Sequence, residues 1–177
     1  MNTQTLFLRV DQAERRMCLM ANAAVRRSLI RALFRTVSRL GDGVFWYLII
    51  ALMPLLLGIT GLLVAAQMLA TGALGLLLYK ALKQRFVRER PFIGLIGIEC
   101  AMPPLDRYSF PSGHTLHAVS FAVMAVHHVP ELAPVVVPFA VLVATSRVVL
   151  GLHYPTDVAV GALIGAGLAI GSNALVG

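Results

Sequence analysis

Hydrophobic and polar positions divide the chain into one mixed segment followed by long apolar runs. From residue 1 to 42 the pattern is mixed. Arg27, Arg31, Arg35 and Arg39 recur every four residues and line one helical face, while Ile30, Leu33, Phe34 and Val37 lie on the opposite one. That alternation predicts an amphipathic helix, lying in a membrane interface or packed on the protein's own core. Gly41-Asp42-Gly43 ends the segment. Val44 to Tyr79 then carries no charge at all. This is nearly twice the ~20 residues that cross a bilayer, so it predicts two short spans with a break near Gly58–Gly61.

Further apolar runs predict a third span from His114 to His127-His128 and a fourth from Val135 to Leu150. A fifth runs from Asp157 to Leu175, with turns at "HHVPELAP" and "GLHYPTD". The expected fold is all-α: a polytopic transmembrane helix bundle of about five spans plus the N-terminal amphipathic helix. The expected organisation is a basic segment over 1–42 and one membrane core over 43–177. Gly161, Gly165, Gly167 and Gly171 suggest close helix packing in the last span.

Composition agrees. Hydrophobic residues make up 58% of the 177 and charged residues only 13%, against about 45–50% and 25% in soluble domains. Mean hydropathy is +0.82. The first residues are too polar for a cleavable signal peptide. A net charge of +7 is not read as nucleic-acid binding, because the basic residues flank apolar spans and no aromatic-basic module accompanies them. Cys18 and Cys100 lack ligand spacing and are read as unpaired thiols. Trp46 and Tyr47 read as an interfacial aromatic anchor, and Arg85 and Arg88 as headgroup contacts.

Tracing the spans brings all fifteen Lys and Arg to one membrane face. The eight arginines before Gly43 favour the cytoplasmic side for that face. Three polar stretches meet there. "KALKQRFVRERPF" places Lys83 and Arg90 two helical turns apart, ahead of Pro91. "PSGH" puts Ser112, Gly113 and His114 at a helix start, where backbone N–H groups favour an anion. "SRVVLGLHYPTD" supplies Ser146, Arg147, His153 and Asp157. Each alone has a plain structural reading as a lipid flank, a cap or a buried histidine. Ionisable groups at a membrane border are costly, however, and tend to be functional.

Together they suit phosphoryl chemistry, which depends on positioning and charge stabilisation. Lys83, Arg90 and Arg147 can clamp phosphate oxygens. A neutral His153 steadied by Asp157 can attack phosphorus, and His114 can protonate the departing oxygen. No metal or other cofactor is expected, since no carboxylate cluster for magnesium is present. His117, Asp106 and Arg107 are candidate pocket neighbours. Thr115 to Phe121 is expected to line the route of a lipid's tails.

Lys-x6-Arg-Pro (Lys83 to Pro91), Pro-Ser-Gly-His (Pro111 to His114) and Ser-Arg-x5-His-x3-Asp (Ser146 to Asp157) resemble the three-part signature of the type 2 phosphatidic acid phosphatase superfamily. The resemblance covers roughly Gly41 to the C-terminus. It implies His153 as nucleophile, Asp157 as its partner and His114 as general acid, with Lys83, Arg90, Ser112, Gly113 and Arg147 binding phosphate. The implied substrate is a lipid phosphate in the bilayer, such as phosphatidate, phosphatidylglycerol phosphate or polyprenyl diphosphate. The implied location is a bacterial inner membrane. Many bacterial members have a spanning helix where this chain has its Arg-rich segment, which leaves the side of the site and the oligomeric state open. A lipid phosphotransferase using the same pocket, a vanadium haloperoxidase and a membrane scaffold or transporter are the competing readings. The haloperoxidases are soluble, which argues against that one.

Overall fold

The computed structural model describes residues 3–176, with side chains from residue 11 through 176. Its helices are α1 (Thr3–Ala23), α2 (Ser28–Arg39), α3 (Phe45–Leu57), α4 (Ile59–Arg85), α5 (Pro91–Gly94), α6 (Gly113–His128), α7 (Ala133–Val149) and α8 (Pro155–Val176). No strand occurs among the described residues. Among the described residues, four helical stretches are long and apolar enough to cross a membrane: Ser28–Leu57, Ile59–Arg85, Pro130–Val149 and Pro155–Val176. The protein is an integral membrane helix bundle. α6, with 16 residues, is shorter and sits between α4, α7 and α8.

Local sequence explains the breaks. α3 ends at Gly58, whose φ of +63° is open to glycine. α4 then folds back so tightly that a Cβ on Gly61 would strike the Met53 carbonyl. α4 has 27 residues, about 40 Å of helix, enough to cross the apolar layer and carry Lys80 to Arg85 beyond it. α2 and α3 are joined through a π-type turn at Leu40–Val44, kinked at Gly43 with φ 143°. α8 starts at Pro155, whose missing N–H is harmless at a first helical position.

The core fills the space between α3, α4, α6 and α7. Trp46, Met53, Met68, Met124, Val136 and Val143 are all buried there. Trp46 is thus a core side chain and not the interfacial anchor expected of it, whereas Tyr47 remains exposed. Leu55, Ile59, Leu63, Leu77, Leu163 and Ile170 stay on the outside, as a lipid-facing surface requires.

α6 and α8 pack most closely. A Cβ on Gly161 would lie 2.6 Å from the Ser112 carbonyl oxygen, and one on Gly165 would strike the Leu116 carbonyl. Gly167 and Gly171 face open space. The glycine pattern of α8 therefore serves packing at two of its four positions, because only one helical face meets α6.

The N-terminal segment is stitched onto the pocket end of this bundle. α2 packs on α7, and α1 touches α7 and α8. Asn22 donates to the carbonyls of Glu99 and Val149, both at 3.0 Å. Arg31 pairs with Glu99 at 2.9 Å, and Arg35 donates to the Ala101 carbonyl. Two arginines of the four-residue repeat thus pin the long loop that precedes α6.

Candidate active site

A cavity of ≈ 360 Å³ opens between α3, α4 and α6 at the basic end of the bundle. Lys83, Arg90, Gly113, His114, Arg147 and His153 line its polar end. Trp46, Leu69, Ala73, Leu76 and Phe121 line its apolar end. Of the eight residues singled out from sequence, these six reach the cavity wall. Ser112 and Asp157 lie one layer behind it. The Ser112 hydroxyl is 2.9 Å from that of Thr115, and its backbone N–H donates to the Asp157 carbonyl at 3.0 Å. His117 and Phe121 face the cavity, whereas Thr115 and Val119 line a separate apolar groove. The stretch expected to form one tail route therefore divides between two surfaces, because successive residues point to different sides of a helix.

Each side chain is placed by its element. Lys83 is in the last turn of α4, where it projects past the apolar layer. Its Nζ donates to Asp106 Oδ1 at 2.6 Å and to the Tyr108 carbonyl at 2.8 Å. Arg90 precedes the Pro91 helix and is 2% exposed. It donates to the Leu152 carbonyl at 2.8 Å and to Asp106 Oδ1 at 2.7 Å. Arg147, from the last turn of α7, donates to the Ser38 hydroxyl, and its buried Nε has no partner among the described residues. Gly113 and His114 open α6, so their N–H groups are free of intrahelical partners.

His153 sits in the turn between α7 and α8, held by its N–H to the Arg147 carbonyl at 3.1 Å. Its Nε2 lies 3.3 Å from Arg90 Nη1. A guanidinium can only donate. Nε2 must then be the accepting nitrogen, with its lone pair on Arg90 at the cavity wall and the ring proton on Nδ1. Nδ1 faces Asp157 Oδ2 at 3.7 Å, close enough for electrostatic pairing and too long for a hydrogen bond.

Asp157 is fully buried and better served elsewhere. It accepts from Arg88 at 2.7 Å and from the Tyr154 N–H at 2.9 Å. Arg88 is therefore not a headgroup contact. It bridges Asp157 to Glu14, also at 2.7 Å, and stacks 3.9 Å over the Tyr154 ring. Glu14, Ser38, Arg88 and Asp106 belong to the site's framework, though none is a defining position of the three motifs.

Burial, followed by Arg147, Arg90 and Lys83, holds the His153 imidazole well below its ordinary 6.5. Asp106 lies under opposing influences. Burial would raise its carboxyl, but Lys83 and Arg90 outweigh it and keep it below the usual range. A lowered histidine stays neutral as pH falls through 6.5, while the unfolded chain takes up the proton there. Stability therefore falls as pH drops below 6.5, where only the unfolded chain binds the proton. The readiness of His153 to attack is retained over the same interval. The acid limb of kcat/KM measured between pH 5 and 8 should accordingly place His153 clearly below 6.5.

The fold and this pocket define a membrane-embedded helix bundle with a buried cluster of cations and histidines at one end. Residues 62–177 match the model of the PAP2 superfamily, and the chain belongs to that superfamily. It is similar to decaprenylphosphoryl-5-phosphoribose phosphatase of Mycolicibacterium smegmatis, 40% identical over 98 residues, or 52% of this chain and 51% of that one. The chain spans about half the length of the curated relatives it matches. Among solved structures it resembles Aquifex aeolicus LpxE, with a TM-score of 0.77 and 29% identity over 90% of this chain and 93% of that one. It also resembles the PAP2-type phosphatidylglycerolphosphate phosphatase of Bacillus subtilis, with a TM-score of 0.73 and 28% identity over 94% and 85%.

Proposed function

We propose that the protein is a membrane lipid phosphatase that hydrolyses a phosphomonoester or diphosphate headgroup through a phosphohistidine on His153. The observation that carries this reading is the lone pair of His153 Nε2, directed at Arg90 on the wall of a cavity whose other cations are Lys83 and Arg147. Phosphate oxygens replace the contacts these cations make to Asp106 and Ser38. Nε2 attacks phosphorus while the bond to the leaving oxygen breaks, and His114 gives that oxygen its proton. Water then attacks the phosphohistidine, His114 takes up the water's proton, and inorganic phosphate departs. Asp157 keeps the His153 proton on Nδ1 electrostatically. Ser112 shapes the turn that presents the Gly113 and His114 N–H groups.

The apolar end of the same cavity supports a substrate whose tail lies in the bilayer. Phosphatidate, phosphatidylglycerol phosphate and polyprenyl diphosphate share this form. The relatives' names point to prenyl and glycerolipid phosphates alike. A bacterial inner membrane is the proposed location, and the arginines of 1–42 weight the pocket toward the cytoplasm. The test is phosphate release by the purified protein in detergent from these three lipids, with EDTA present. Release from none of them overturns the reading. Loss of release with EDTA overturns metal independence. Transfer to an added alcohol in preference to water identifies a phosphotransferase.

Asp106 gives a second expectation. Its carboxylate occupies the contacts that a phosphate would make on Lys83 and Arg90. Asp106→Asn removes that competing charge and keeps the backbone carbonyl that Arg90 also uses. Inhibition by orthovanadate should tighten about tenfold, equivalent to ~1.4 kcal/mol. The competitive inhibition constant reads this directly.

A further inference from the structure

Asp42 lies outside all three motifs and outside the residues matched to the family. The chain bends to bring it into the cavity. The π-type turn at Leu40–Val44 interrupts what would otherwise be one helix, and such turns recur at functional sites. Glycine on either side makes the bend possible. Gly43 takes φ 143°, and Gly41 lies so close to α7 that a Cβ there would be 2.5 Å from Val143 Cγ2. The outcome is Asp42 Oδ1 at 3.3 Å from His114 Nε2, with both residues in the cavity wall.

His114 depends on that carboxylate. Its side chain is 9% exposed, and its Nε2 makes no hydrogen bond of good geometry among the described residues. The charged or titratable groups facing it are Arg147 from α7, His153 from the next turn, Arg90 from the loop and His117 on its own helix. None of them is an acid, and the other acid of the cavity wall, Asp106, is taken by Lys83 and Arg90. A general acid must carry its proton before the reaction starts, and an imidazolium among arginines requires a counter-charge.

We infer that Asp42 is the positioning residue of His114: it faces Nε2, holds that N–H and supports the imidazolium, so that the other ring nitrogen, Nδ1, gives its proton to the leaving oxygen. The inference rests on the reading that His114 is the general acid. When the phosphorus–oxygen bond breaks, the proton passes from Nδ1 of the His114 imidazolium to the leaving oxygen, while Nε2 keeps its proton toward Asp42. In the second half-reaction a proton of the attacking water returns to Nδ1. Asp42 remains a carboxylate throughout and touches neither phosphorus nor water.

Leaving-group dependence tests this. An alkoxide needs a proton to depart, whereas a nitrophenolate does not. Two monoesters with the same tail are compared, dodecyl phosphate and 4-dodecyl-2-nitrophenyl phosphate, with protein that elutes in detergent as the wild type does. Asp42→Asn should lower kcat/KM about 100-fold on the dodecyl ester and less than threefold on the nitrophenyl ester. Asp42→Glu should recover most of the loss. Equal losses on both esters, or none on the dodecyl ester, overturn the inference. His114→Asn keeps the two readings apart. If that variant shows the leaving-group split and Asp42→Asn does not, the inference alone fails. If wild type releases no phosphate from either ester, the phosphatase reading fails.

Discussion

Replacing His153 with alanine is expected to lower phosphate release by at least about three orders of magnitude, ~4 kcal/mol of barrier. The expectation follows from how much of the pocket converges on one nitrogen. Arg90 reaches Nε2 directly, and Asp157 faces the opposite ring nitrogen. The backbone of the turn is fixed to Arg147. Removing the ring leaves the cations in place, so binding of a phosphate anion should survive while turnover is lost. KM for the lipid should therefore change far less than kcat. A phosphoprotein trapped by rapid denaturation should appear in the wild type and be absent from the variant. Residual turnover above about one per cent of wild type would show that another group attacks phosphorus. Asp157→Asn is expected to do less damage, because the nucleophile remains; it removes the charge facing Nδ1 at 3.7 Å and one of the two contacts to Arg88 and the Tyr154 N–H, since an amide nitrogen cannot accept.

The parts of the site that were legible in the sequence share a physical signature. Lys83, Arg90, Arg147, His114 and His153 are polar residues at the borders of apolar runs, where burial is expensive and chance placement is rare. The turn residues Pro111, Gly113 and Pro155 marked where helices begin, and Gly58 marked where one ends. Residues missed or misread from sequence are of another kind. Arg88 resembles any basic residue flanking a span, and only the folded loop directs it back onto Asp157 and Glu14. Glu14 and Ser38 lie on the N-terminal helices, whose arginine repeat left open a helix in the membrane interface or one packed on the protein's own core. In the fold Arg31 and Arg35 turn to Glu99 and Ala101. Asp106 was legible as a pocket neighbour and does line the cavity, but its pairing with Lys83 and Arg90 comes from an irregular loop with no periodicity to read. Asp42 was visible as punctuation between two glycines, a reading that holds for the backbone and misses the carboxylate. These residues act through partners distant in sequence, and single-chain patterning carries no information about such pairs.

Gly165→Leu is expected to destabilise the bundle by about 3 kcal/mol or more, the upper part of the range for overpacking. The atoms in the way are the main chain of α6 at Leu116, not the end of a flexible side chain. Backbone inside a helix cannot yield without breaking its own hydrogen bonds, so α6 and α8 must separate. Separation would also draw the Ser112 turn away from Asp157, where the 3.0 Å contact between their main chains closes the wall behind His153. Activity should fall together with thermal stability, although the substituted residue lies well inside the apolar layer and bears no chemistry. Gly167→Leu is the internal control. It lies on the same helix, its Cβ would meet nothing within 4 Å, and leucine is the better helix former. Its unfolding midpoint in detergent should equal or exceed that of the wild type. If Gly165→Leu were to unfold at the wild-type temperature, α6 and α8 would not be packed backbone to backbone. The placement of the Gly113 and His114 N–H groups would then need another cause.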